Sequence, residues 1–332
     1  MSTKQLVQPA TGPAATAFAE KSRGAEIDQP NSERLRCVYL CSAPHSGSTL
    51  LALLLGAHAE ISTVGEFGAT FRPDMRCSCG TPVCQCAFWR AWSAAARAAG
   101  VPFEYGDLEL NLEPRHGDPV GDLFYYYFPF RTLDQFRDSL FCRQSRLRLR
   151  AARAIDRYYR LACILCELED TRVFFDSTKN PYQIRFLAGH PHVDLKVVAL
   201  VRDGRGVMNS LITKENKTPR EAVATWVWSN RNLSRAVRYL PAERVHWMRL
   251  EDFCREPKAT LDRLQRFCGV AAIGDLDAAD SIDQHVIGNR MRHSFRGGVR
   301  NDEAWRKRLS QADLKFFHCK AGRLNWKLGY RD

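Results

Sequence analysis

The sequence predicts an α/β protein built on an open parallel sheet flanked by helices, and three observations carry that expectation. Apolar, β-branched runs at Leu35–Ser42, Arg172–Asp176, Leu195–Val201 and Arg244–Leu250 alternate with longer helical stretches. That alternation is the order a parallel, doubly wound sheet requires. The run Leu195–Val201 is almost continuously apolar, as expected of a strand covered on both faces. The first strand passes through Ala43-Pro44-His45-Ser46-Gly47 into an apolar helix from Ser48 to about His58, and such a strand–turn–helix unit aims a helix amino end at bound phosphate.

The remaining elements follow in order. Residues 1–33 read as a disordered leader rich in Ala, Thr, Pro and charge, and residues 34–332 as a single domain. Residues 101–170 form a helical insert. It holds the aromatic patch Phe124–Phe128, then an amphipathic helix through Arg143, Arg146, Arg150, Arg153 and Arg157 whose basic side reads as a solvated face. Cys163 and Cys166 share the apolar face of that helix and are assigned to the core. A later helix has a full start signal, with Thr218 as N-cap, Pro219 at the first position and Glu221 closing a capping box. It runs to about Leu240 and is stopped by Pro241; Trp226 and Trp228 on it are assigned to packing. The last helix starts near Ser310, with Asp313 three residues on, and ends near Gly322.

Bulk properties narrow the class. The 332 residues are 45% hydrophobic and 26% charged, the balance of a globular chain with a sizeable core. The formal net charge of +12 favours an anionic partner. The longest apolar run, Leu50–Ala57, is far short of the roughly 20 residues that span a bilayer. The first 30 residues lack the apolar stretch of a signal peptide. The expected compartment is therefore the cytoplasm, where the 12 cysteines would be reduced and buried or would bind metal.

Two motifs carry chemistry. In Ser46-Gly47-Ser48-Thr49 the amides that open the helix face whatever precedes it, the helix dipole attracts an anion, and the hydroxyls of Ser48 and Thr49 add donors. The nucleotide-triphosphate loop G-x-x-x-x-G-K-[ST] does not fit: Ser42 stands at its first Gly and Ser48 at its Lys. In the second motif, Arg202 ends the apolar strand and Ser210 follows eight residues on, across Asp203-Gly204-Arg205-Gly206. A guanidinium at the carboxyl end of a buried parallel strand, facing a hydroxyl two helical turns away, suits a phosphate monoester. The two motifs can serve one nucleotide only if Thr49 and Arg202 lie on the same side of the molecule.

Taken together, Ala43–Leu51 and Arg202–Ser210 resemble the sulfotransferases that use 3′-phosphoadenosine-5′-phosphosulfate (PAPS). The first is similar to that family's 5′-phosphosulfate loop and the second to its 3′-phosphate site. Leu250-Glu251-Asp252-Phe253, His285–Arg292, Asp302-Glu303-Ala304-Trp305 and Leu328-Gly329-Tyr330 resemble later stretches of bacterial members, so the likeness spans roughly 35–330 and leaves 101–170 unmatched. The resemblance implies a P-loop-like α/β fold, PAPS as donor, in-line transfer to a hydroxyl and no required metal. It implies donor binding by His45, Ser46, Gly47, Ser48, Thr49, Arg202 and Ser210, with Arg296 and Gly297 closing over the 3′-phosphate. Glu66, in Gly65-Glu66, matches the base of tyrosyl-protein and related bacterial sulfotransferases, and Lys179 and His45 are the other catalytic candidates. The insert falls on the acceptor side. His45 stands where better-known members carry Arg or Lys, and Ser177-Thr178-Lys179 stands where cytosolic aryl enzymes carry a catalytic His. The acceptor class stays open among small molecules, glycans, lipids and tyrosines. No specific nucleic-acid partner is expected, and peripheral contact with a membrane surface is compatible with the charge. The rival readings are a P-loop kinase, and a non-catalytic nucleotide or polyanion binder.

Cys77, Cys79, Cys84 and Cys86, followed by Phe88-Trp89, form a dense cluster. Four thiolates would suit structural zinc, but the C-x-C pairs are tighter than the common C-x-x-C. Bacterial members of the family resembled show a similar stretch with no metal implied. The favoured expectation is therefore a local disulfide or packed thiols beside the active site, without metal, and zinc is the alternative.

Overall fold

The computed structural model describes residues 34–68, 74–110, 112, 127–273, 284–293 and 299–331. The leader at 1–33, the residues Phe124–Tyr126 of the aromatic patch, and Arg296 and Gly297 lie outside the described residues.

Five parallel strands form one sheet in the order β2-β3-β1-β4-β5. They are β1 (Leu35–Ser42), β2 (Ile61–Ser62), β3 (Val173–Asp176), β4 (Val193–Val201) and β5 (Val245–Arg249). The four expected strands are all present, each within two residues of its expected ends, and β2, at two residues, is too short to leave a period in the sequence. β1 and β4 form the central ladder, paired from Leu35↔Val193 to Ser42↔Leu200. β3 joins the other edge of β1, from Arg36↔Val173 to Tyr39↔Asp176.

Alternation along β1 splits the core into two layers. Cys37, Tyr39 and Cys41 face one side, against α2 (Ala87–Ala98), α4 (Ser145–Glu169) and α5 (Pro181–Ala188). Val38 and Leu40 face the other, against α1 (Ser48–Gly56) and α9 (Pro257–Cys268). α1 is apolar on every side, and eight of its residues are buried, as an all-round apolar helix must be. The insert contributes α3 (Arg131–Arg143) and α4. Tyr158, Leu161 and Leu165 of α4 reach the sheet, while Arg143, Arg146 and Arg153 are exposed. A third cluster joins α6 (Gly204–Glu215), α7 (Pro219–Val237) and α11 (Gln311–Lys327). Between them lie α8 (Leu250–Arg255), on the approach to α9, and α10 (Trp305–Arg308), ahead of α11.

The capping boxes at Thr218 and Ser310 form as expected. α11 continues five residues beyond Gly322 to Lys327, because Phe317, Ala321 and Asn325 keep an inward face past that glycine. Trp228 corrects the packing assignment: it is 43% exposed, lying on the outer face of α7 with one edge contact to Tyr182. Trp226 is fully buried. Among the described residues no helix is long and apolar enough to cross a membrane.

Gly204 shows how closely α6, α7 and α11 meet. A Cβ there would lie 2.5 Å from the Phe317 ring and 2.7 Å from Trp226. Gly204→Ala is expected to destabilise the fold by about 1–3 kcal/mol, read as a lower midpoint in urea unfolding at unchanged slope.

Candidate donor and transfer site

Four adjacent strands deliver the candidate residues in a row. In sheet order, the segments after β2, β3, β1 and β4 carry Glu66, Lys179, the 43–49 turn and Arg202. Ligands collect at the carboxyl ends of strands in open parallel sheets.

The turn after β1 is built for close approach. His45 and Gly47 both adopt left-handed backbone, at φ 57° and 96°, and a Cβ on Gly47 would meet Leu250 Cδ1 at 2.7 Å. α1 then begins with no side-chain cap, so its first-turn amides have no partner from that source. Ser46 is fully buried and its hydroxyl has no hydrogen-bond partner.

Arg202 joins this turn from the neighbouring strand. Its Nη1 donates to the His45 carbonyl at 2.7 Å and reaches Ser210 Oγ at 3.5 Å. Nη2 donates to the Asp302 carbonyl at 3.2 Å. Thr49 therefore lies on the same side as Arg202, four residues beyond the bonded carbonyl. Asn289 closes the group, its amide donating to Thr49 Oγ1 at 3.3 Å while its side-chain nitrogen faces His45 Nδ1 at 3.5 Å.

His45 Nε2 donates to Glu215 Oε1 at 2.7 Å. Burial nonetheless pulls the imidazole below its ordinary range, with Glu215 opposing that pull. His45 thus offers a hydrogen-bonding imidazole where an Arg or Lys would carry a full charge.

Lys179 Nζ donates to Glu66 Oε1, and both side chains are about a fifth exposed. Lys179 also sits at φ 73°, a conformation that costs a β-carbon-bearing residue energy unless its surroundings enforce it. The enforcement comes from Asp176, buried at the end of β3, which sequence reasoning did not single out. Its carboxylate accepts from Tyr158 OH at 2.9 Å, Thr178 N at 2.8 Å, Thr178 Oγ1 at 2.5 Å and Phe67 N at 3.3 Å. One carboxylate therefore fixes the residue beside Lys179 and the residue beside Glu66. The 287–289 segment fixes Glu66 from the other side. Glu66 N donates to the Ile287 carbonyl at 3.3 Å, and a Cβ on Gly65 would lie 2.1 Å from that oxygen.

A polar lattice backs Arg202. The Asp203 amide donates to Glu251, Tyr330 OH donates to Glu251 at 2.6 Å, and the Gly204 amide donates to Asn325. Arg205 grips Asp203 and lies 4.4 Å from the centre of the Trp305 ring. The Glu251, Trp305 and Tyr330 noted in the sequence therefore serve the Arg202 turn from behind. A separate cleft of about 680 Å³, lined in part by Arg231, Trp247 and Lys327, contains none of the site residues. Of the two expectations for the cysteine cluster, the local disulfide is not formed: Cys77, Cys79, Cys84 and Cys86 are free thiols, with Cys77 and Cys86 buried.

These features define an open parallel α/β protein with an uncapped helix amino end and a buried arginine on one face. No protein-family model matches the chain, and no curated protein matches it. Its structure is similar to solved sulfotransferases. One is the sulfotransferase domain from the curacin biosynthetic pathway, 18% identical over 88% of this chain and 99% of that one, TM-score 0.47. A second is the sulfotransferase domain of the Synechococcus PCC 7002 olefin synthase, 17% identical over 93% and 100%, TM-score 0.46. A third is mouse sulfotransferase SULT7A1 complexed with PAP, 11% identical over 89% of each chain, TM-score 0.41.

Burial raises the Asp176 carboxyl from 3.8 to about 6, against the pull of its hydrogen-bond donors. A raised carboxyl favours the protonated native state, so its contribution to stability is full below the unfolded value and is lost as pH rises through about 6. Asp176→Asn is expected to flatten the stability-versus-pH curve between about 4 and 6. Asp176→Ala, which strands several buried donors, is expected to cost on the order of 3 kcal/mol, both read by denaturant unfolding across pH.

Proposed function

We propose that the chain is a sulfotransferase that moves a sulfuryl group from PAPS to a hydroxyl acceptor. The observation that carries this reading is the pairing of two anion sites: the uncapped turn at Ser46–Thr49 and the Arg202–Ser210 pair, joined through the His45 carbonyl.

The residues fit such a donor on three counts. The Ser46 hydroxyl is buried without a partner, a cost that an anion's oxygen would relieve. Gly47 leaves no room for a side chain between the turn and Leu250. Arg202 is buried, which makes its charge effective over short range. Arg296 and Gly297, proposed to close over the 3′-phosphate, lie outside the described residues.

PAPS supplies an activated sulfuryl group with a phosphate as leaving group. The chain's own part is positioning and charge. Ser48, Thr49 and the first amides of α1 hold the 5′ end, and Arg202 and Ser210 hold the 3′-phosphate. Lys179 provides positive charge beside the turn. Glu66 takes the acceptor proton as the new oxygen–sulfur bond forms, and its pairing with Lys179 fixes its direction. His45 contributes its carbonyl, which accepts from Arg202, and an imidazole bonded to Glu215 where an Arg or Lys would carry a full charge. No step needs a metal ion, and the kinase reading is disfavoured because Ser48 occupies the position of the phosphate-binding lysine.

Glu66→Gln is expected to lower turnover by at least about tenfold with little change in affinity for adenosine 3′,5′-bisphosphate. Turnover like that of the wild type would remove Glu66 from the role. Arg202→Ala is expected to weaken that nucleotide by about 1.5–3 kcal/mol in calorimetric titration, and unchanged affinity would refute the 3′-phosphate assignment. Incubation with labelled PAPS and an acceptor library tests transfer itself, and a mere polyanion binder would give no labelled product.

A further inference from the structure

Outside the transfer site, three thiols and one imidazole converge. The Sγ atoms of Cys77, Cys79 and Cys86 and a ring nitrogen of His285 all lie within 4.8 Å of one another. Cys79 Sγ is 3.8 Å from Cys86 Sγ, and His285 Nδ1 is 3.3 Å from Cys86 Sγ and 3.7 Å from Cys77 Sγ. Cys84, the remaining thiol of the sequence cluster, is not in the group.

We infer that Cys77, Cys79, Cys86 and His285 form a structural zinc(II) site. Three edges of the group, at 3.8, 3.7 and 3.3 Å, lie close to those around a bound ion. A tetrahedron with zinc–sulfur bonds of about 2.3 Å and zinc–nitrogen bonds of about 2.0 Å has S···S edges of about 3.8 Å and S···N edges of about 3.5 Å. The sulfur pair is much too long for a disulfide, at 3.8 Å against about 2.05 Å. Three thiolates and an imidazole in a closed tetrahedron select zinc over harder divalent ions.

The surroundings prepare the ligands. The Cys77 amide donates to the Thr81 carbonyl at 2.9 Å and the Cys86 amide to the Pro82 carbonyl at 2.9 Å, which holds the loop that carries three of the ligands. Gly80, at φ 87°, turns the chain between the ligands, with its amide bonded to the Cys77 carbonyl at 2.9 Å. Cys86 is the N-cap of α2, where the helix dipole favours an anionic sulfur. His285 is held on both flanks by Ser78, whose hydroxyl donates to the Gln284 carbonyl and accepts from the Val286 amide at 2.8 Å. Its ring stacks on Phe88, with centroids 4.6 Å apart and planes at 10°.

The site would staple the 77–86 turn to the strand-like 284–289 segment, which bonds Glu66 and Thr49. The inference stands independently of sulfuryl transfer, because the metal is counted directly.

The untagged full chain, purified without chelator, is expected to carry about one zinc per molecule by elemental analysis. Cobalt(II) added to the demetallated wild type should give thiolate-to-metal charge transfer and the visible bands of a tetrahedral ion. Cys86→Ser and His285→Ala should weaken zinc at least about tenfold in competition with a chromophoric chelator, while Cys84→Ser leaves it unchanged. If Cys86→Ser does not fold, the exposed Cys79→Ser serves in its place. Negligible zinc both as purified and after zinc addition, iron in its stead, absent cobalt bands, or full zinc retention in the ligand variants would each overturn the assignment.

Discussion

A buried guanidinium joins the two halves of the candidate donor face. Arg202 leaves β4 and bonds the carbonyl of His45 in the turn after β1, so the ends of the two central strands cannot drift apart without exposing an unpaired charge. Such a charge is expensive to bury alone, and the chain surrounds it with order. The Asp203 amide, Glu251, Asn325 and Tyr330 form a continuous polar lattice behind it. The Cα of Gly206 lies close beneath it, since a Cβ there would stand 3.1 Å from Arg202 Nε. The end of the chain thereby supports a site formed near its beginning.

The acid–base side of the site obeys a different constraint. Lys179 and Glu66 come from separate segments, after β3 and β2, and each needs an anchored backbone to meet the other. Asp176 supplies both anchors through Thr178 and Phe67, and Tyr158 from α4 completes its shell. A helix of the insert thus bears directly on where a candidate base points. Charge is distributed unevenly across the face: Lys179 and Arg202 flank a turn whose central side chain, His45, is pulled below its ordinary range by burial. Those two cations and the first amides of α1 are the positive groups beside the turn.

How much of this was legible follows from sequence distance. The turn at Ser46–Thr49 and the Arg202–Ser210 pair are each contiguous, and each is read from a strand ending and a helix beginning. Gly65-Glu66 was legible as a candidate only through resemblance, and Lys179 through its place at the end of a strand. The partners were not legible. Glu215 lies 170 residues from His45, and His285 lies 199 residues from Cys86. The cysteine stretch was read as four thiols because four stand close in sequence, whereas the fold excludes Cys84 and substitutes a distant histidine. β2 escaped notice because two residues carry no periodicity.

The sequence by itself determined the parallel α/β class, four of the five strands and the helix starts at Ser48, Pro219 and Gln311, because those depend on local pattern and capping chemistry. Tertiary structure alone decided which of those pieces share a face, which charges are neutralised, and which side chains hold the candidate groups in place. Strand order governs all three. β1 pairs with both β3 and β4, from more than 130 residues further along the chain, and only that pairing brings the carboxyl ends of β2, β3, β1 and β4 into one row.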